Sequence, residues 1–128
     1  MAREDIYNEI KGALGGVPGF FEQMDDAQLE HLWSALRDGF LTETSFSLKD
    51  TALIALGASY AAGCEYWIEF HTQTARLVGA SEDNLKDAKN IAEAVNEWSK
   101  FLYGIKYDMK KWKEEVTAGH EFVASKGW

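Results

Sequence analysis

Apolar residues recur along this chain at steps of three and four rather than two, which predicts helices throughout. Ile6, Ile10 and Leu14 stand at i, i+4 and i+8, the stripe of a short amphipathic helix over residues 3–13. Gly15-Gly16-Val17-Pro18 ends it, because proline disfavours helix in the residue before it. Pro18 then suits the first turn of a short helix carrying Phe20, Phe21 and Met24. Asp25, with Gln28 three residues on, makes a capped start for the next helix, and Leu29, Leu32, Trp33 and Leu36 share its apolar face. Gly39 and Phe40 lead into a polar connector of about nine residues that ends near Phe46.

Ser47 caps the following helix, with Asp50 placed to return a hydrogen bond to the cap. Leu48 to Ala62 is rich in small residues: Ala52, Ala55, Gly57, Ala58, Ser59, Ala61 and Ala62. Small side chains let neighbouring helices approach closely, so this helix is expected at the centre of the bundle. After Gly63, a helix opens at Cys64 and runs to Val78, where Gly79 suits a left-handed C-terminal position. Ser81 with Glu82 and Asp83 starts a long helix of about five turns. Its stripe is Leu85, Ala88, Ile91, Ala92, Val95, Trp98 and Leu102, and Gly104 breaks it. A further amphipathic segment carries Ile105, Met109, Trp112 and Val116, while His120 to Trp128 shows no clear periodicity.

The predicted class is therefore all-α, in one domain spanning residues 1–128. Charge narrows the partners. A formal net charge of −8 repels phosphate backbones and anionic membrane surfaces, so neither nucleic acid nor membrane is expected as a partner. There is one cysteine, which excludes an internal disulfide, and no apolar leader or long apolar run stands in the sequence. These features suggest a cytoplasmic protein. Aromatic residues cluster late, at Trp98, Phe101, Tyr103, Tyr107, Trp112, Phe122 and Trp128, where they could pack a core or a subunit interface.

Candidate chemistry is sparse. His31, His71 and His120 are widely spaced and no metal-ligand motif occurs, so no metal or other cofactor is expected. The glycines at 15–19 lack the strand, Lys and Ser/Thr of a phosphate loop. Cys64 follows a glycine and opens a helix, where free N–H groups and the helix dipole stabilise a thiolate; a small buried packing residue is the alternative. His71 lies seven residues on, about 10 Å along a straight helix, too far for a direct hydrogen bond between the two side chains. Position 67, four before His71, is within reach of it, and it holds Trp67. Glu65 and Glu69 turn away from the Cys64–His71 line and read as a solvated face. Arg76 is a candidate for a substrate carboxylate or, more simply, for a surface ion pair.

The run Gly63-Cys64-Glu65-Tyr66-Trp67, followed by His71, resembles the core of the carboxymuconolactone decarboxylase / alkylhydroperoxidase D-like family over roughly Phe20 to Gly104. The resemblance implies an all-α bundle of six or seven helices that assembles as trimers or hexamers. It also implies a site in which a helix-opening Cys-x-x-Cys, a His and an upstream Glu reduce peroxide. Of those four positions only Cys64 and His71 are kept; the second cysteine is Trp67 and the glutamate is Ala52. One thiol cannot complete a two-cysteine cycle within a protomer. Two functions remain: binding of a small molecule or partner in the family's pocket, with Trp67 and Ala52 in its walls, or a one-cysteine thiol peroxidase using Cys64 and His71 with an external thiol reductant.

Overall fold

A computed structural model describes residues 1–127; Trp128 of the late aromatic group lies outside the described residues. Helix α1 (Arg3–Leu14) ends in Gly15, whose φ of 80° is the left-handed conformation that glycine adopts without steric cost. A 3₁₀ turn (Gly19–Gln23) follows Pro18 and leads to α2 (Asp26–Phe40). The cap foreseen at Asp25 is present in both directions: its carboxylate accepts from the Gln28 N–H at 2.8 Å, and the Gln28 side chain accepts from the Asp25 N–H at 3.2 Å. Arg3 ties these elements together by donating to the carbonyls of Phe21 and Met24 and pairing with Asp26 at 2.8 Å.

Helix α3 (Leu48–Ala62) is capped by Ser47, which accepts from the Asp50 N–H at 3.1 Å. That cap is one-sided, since no hydrogen bond from the Ser47 N–H to the Asp50 carboxylate accompanies it among the described residues. Then come α4 (Glu65–Leu77), α5 (Glu82–Gly104) and α6 (Met109–Ser125). The all-α expectation holds: six α-helices and one 3₁₀ turn make up the described residues, with no strand among them. None of these helices is long and apolar enough to cross a membrane.

Two cores form. Ile6, Ile10, Phe21, Leu29, Trp33 and Leu36 build one from α1, the 3₁₀ turn and α2. The Trp33 indole N–H donates to the Glu9 carboxylate at 2.7 Å, and Arg37 donates to the same oxygen at 3.0 Å. The indole N–H, then the guanidinium, hold that carboxyl below its ordinary pKa. Ala52, Leu56, Ala75 and Leu85 build the second from α3, α4 and α5. Helix α3 packs extensively on both α4 and α5 and also touches α2, the central place its small residues predict. A Cβ on Gly57 would stand 3.8 Å from the Ala88 carbonyl of α5, so the two backbones run close there.

Four expectations need correction. Phe40 belongs to α2, so the connector is the shorter Leu41–Ser47 stretch; Phe40 continues the stripe Leu29, Trp33, Leu36 and is held by packing. Leu32, expected on that buried face, is exposed. Helix α5 has 23 residues, about six turns, and only Leu85 and Ala92 of its stripe are buried; Ile91, Val95 and Trp98 face outward because no other helix among the described residues covers them. Helix α6 continues through His120 to Ser125, since Asp108 caps its start and its backbone ladder runs on despite weak periodicity.

Candidate functional site

The two cores meet along a seam between α2, α3 and α4, and three of the residues singled out by sequence lie on it. Gly63, with φ 65°, closes α3 in the left-handed conformation, and Cys64 follows in extended backbone as the N-cap of α4. The Cys64 N–H donates to the Ser59 carbonyl at 3.0 Å, and its own carbonyl accepts from the Ile68 N–H at 3.0 Å. The turn is thereby fixed, and it leaves the free thiol partly exposed, without a cap hydrogen bond to its own helix.

One turn into α4, the Trp67 indole reaches across to the first core, packing against it while its backbone belongs to the second. His71 stands one turn further and is 3% exposed. The two rings stack, with centroids 5.4 Å apart and planes 26° from parallel. Phe40 meets the imidazole edge-on at 4.8 Å, and Phe70 does so at 5.2 Å. Burial among these rings pushes the His71 pKa below its ordinary value, so the ring is neutral at pH 7.

Cys64, Trp67 and His71 line one cavity of about 570 Å³, together with Phe20, Phe21, Leu36 and Phe40 and the α3 residues Ala55, Ala58, Ser59 and Ala62. No formally charged side chain is in that lining. The Ser59 hydroxyl is committed to the Ala55 carbonyl at 2.7 Å, which leaves the imidazole, the thiol and the Trp67 indole N–H as the polar side-chain groups that can meet a ligand. Behind Trp67 lies a second apolar cavity of about 640 Å³, lined by Leu14, Pro18, Tyr66 and Phe70. Phe20, Phe21, Leu36 and Trp67 belong to both linings and form the partition between them.

The other sequence candidates lie elsewhere. Ala52 is buried in the second core with Leu56, Ala75 and Leu85 and takes no part in the cavity lining. Glu65 and Glu69 are exposed, and Glu69 accepts from Gln73 at 2.7 Å. Arg76 forms an exposed two-point pair with Glu82 at 2.8 and 3.1 Å, away from the cavity. Among the described residues no three His, Cys, Asp or Glu side chains gather as a metal site would require.

Sequence reasoning did not mark Phe40 and Phe70 as part of the imidazole's surroundings. The signal for Phe40 was its place four residues after Leu36 on the α2 stripe; for Phe70, its place three after Trp67. Comparison with known proteins adds one finding. Residues 27–107 match the model of the carboxymuconolactone decarboxylase family, a stretch from the first turn of α2 to just past the end of α5 that contains Cys64, Trp67 and His71 but not Phe20 and Phe21 of the cavity lining. No curated protein and no solved structure matches the chain.

Proposed function

The chain belongs to the carboxymuconolactone decarboxylase family, and from that premise we propose that it binds a small, uncharged, largely apolar molecule in the cavity beside Cys64 and His71, without the two-thiol redox cycle. The observation that carries this reading is the Trp67–His71 stack, which fills the place of a second thiol with an apolar wall. An indole offers one N–H donor and no nucleophile. The lining supports a neutral ligand: there is no cation to hold a carboxylate or phosphate, and burying an unpaired charge there would be costly. A neutral imidazole supplies one N–H donor and one acceptor, enough to orient a single hydroxyl or carbonyl on an otherwise apolar molecule. A volume of about 570 Å³ lies within the range that small-molecule pockets occupy.

A titration with the neutral hydrophobic dye N-phenyl-1-naphthylamine tests the reading. Saturable dye fluorescence with energy transfer from tryptophan is expected, unchanged in Cys64→Ser and weakened at least tenfold in Ala58→Trp, which blocks the cavity from α3. Absence of saturable binding, or binding indifferent to Ala58→Trp, would sink it.

A second reading has its own support in the partly exposed Cys64 thiol at the start of α4. In it the thiolate attacks the distal oxygen of a hydroperoxide, the O–O bond breaks, and Cys64 becomes a sulfenic acid as an alcohol leaves with one proton. An external thiol then forms a mixed disulfide with loss of water, and a second external thiol frees Cys64. Hydroperoxide consumption coupled to such a thiol, abolished by Cys64→Ser, would favour this reading over the first.

A further inference from the structure

Binding alone leaves two groups of the cavity lining unexplained, the Cys64 thiol and the His71 imidazole. Cys64 is partly exposed and its side chain caps nothing, so the sulfur has no structural duty. His71 is 3% exposed, yet among the described residues neither ring nitrogen has a hydrogen-bond partner. Buried polar groups are normally paired, so an unpartnered imidazole in a cavity wall points to a ligand atom that completes it.

Their separation selects the chemistry. Seven residues along the chain put Cys64 and His71 about 10 Å apart on one side of α4. That gap is wrong for acyl transfer or addition to an aldehyde, where nucleophile and oxyanion donor both stand about 3 Å from a single carbonyl group. It suits conjugate addition. In an α,β-unsaturated ketone the carbon attacked and the oxygen that gathers charge are three bonds apart. The sulfur's approach of about 3–3.5 Å, that span and a hydrogen bond of about 2.9 Å together reach roughly 9–10 Å. Phe20, Phe21, Phe40 and Trp67 add the flat faces that a conjugated, uncharged molecule packs against.

We propose that the cavity captures neutral α,β-unsaturated ketones covalently, Cys64 adding at the β-carbon while a His71 N–H holds the carbonyl oxygen. The proposal rests on the cavity being a site for neutral apolar molecules, and it supplies their chemical class. The thiol first gives its proton to solvent, which the partly exposed sulfur reaches. The thiolate then forms a C–S bond to the β-carbon as the C=C π pair shifts towards the carbonyl, and the imidazole N–H donates to the oxygen on which charge gathers. A proton from water finally reaches the α-carbon. Thiol and enone thus become one β-thioether ketone, with no atom lost and no oxidant or reductant consumed.

Benzylideneacetone, whose conjugated absorption disappears on addition, tests the proposal together with intact-protein and peptide mass spectrometry. One probe per chain should add at Cys64, at a rate that saturates with probe concentration. At low probe that rate should exceed at least tenfold the rate of the same cysteine in the urea-unfolded chain. The saturated analogue 4-phenyl-2-butanone should slow the addition by competing for the cavity and should leave no adduct. His71→Phe should keep a similar half-saturation concentration but add the probe at least tenfold more slowly, whereas His71→Gln, which keeps a neutral N–H donor, should recover most of the rate. Should His71→Phe unfold by circular dichroism, Ala58→Trp, which blocks the cavity from α3, should abolish the saturation. A rate linear in probe and no faster than in the unfolded chain would overturn the capture. So would a His71→Phe rate equal to the wild type, or slowing by Trp67→Phe alone, which would give the carbonyl to the indole. N-phenyl-1-naphthylamine separates the two levels: saturable dye binding without accelerated addition removes the capture and leaves the binding reading, and loss of both removes both.

Discussion

Replacing Trp67 with alanine should cost stability and join two cavities. The indole packs on the first core and touches Phe40, Phe70 and His71, with ring centroids 6.2, 5.2 and 5.4 Å away. Truncating a fully buried large aromatic to alanine typically costs about 3–5 kcal/mol; with part of this indole exposed, about 2–3 kcal/mol is expected. For a chain of this size each kcal/mol moves the melting temperature by roughly 4 °C, so Tm should drop by about 8–12 °C. The partition between the cavities of about 570 and 640 Å³ loses its indole in the same step and keeps Phe20, Phe21 and Leu36, so dyes too large for the wild type should bind through the opening in the variant. Urea unfolding followed by far-ultraviolet circular dichroism, at neutral pH and fixed protein concentration, measures the first effect. Trp67→Phe keeps a ring against His71 and should lose less. A loss below about 0.5 kcal/mol for Trp67→Ala, within the range of ordinary surface substitutions, would refute the claim that the indole is a packed wall.

Three further outcomes are expected. Burial holds His71 below its ordinary pKa, so the unfolded chain takes up the proton first; the stability this neutral ring supplies is complete above about pH 6.5 and is lost as pH falls through the folded value. Urea midpoints measured across that window should decline less in His71→Phe than in the wild type. Lys106→Gly should raise stability by about 0.5–1 kcal/mol, because glycine adopts the left-handed elbow before α6 without the penalty a lysine carries, and thermal unfolding will register it. Asp25→Ala removes one half of the reciprocal cap of α2 and should cost about 1 kcal/mol, read from the same melts.

Much of this fold was legible because local signals and global packing agree. Caps at Asp25 and Ser81, a glycine at 79 and the small-residue run of α3 marked helix limits that packing then kept. The α5 stripe shows where legibility ends: its period gives the helix but not which of its apolar residues the chain itself covers, and Ile91 and Trp98 remain outside. At the site, position 67 being one turn before His71 was enough to foresee their contact. Ala52 was harder, because its place in the second core depends on how α3 is rotated against α4 and α5, which depends on long-range packing.

The most direct measurement of ligand binding is a ¹H–¹⁵N correlation spectrum of the protein titrated with a neutral apolar probe such as 1-naphthol. The cavity account predicts saturable shifts of the Trp67 indole N–H and of the Cys64 and His71 amides. It also predicts that the amides of Glu65, Glu69 and Arg76, whose side chains point away, move far less. Saturable shifts confined to residues outside the seam, or none at all, would contradict it.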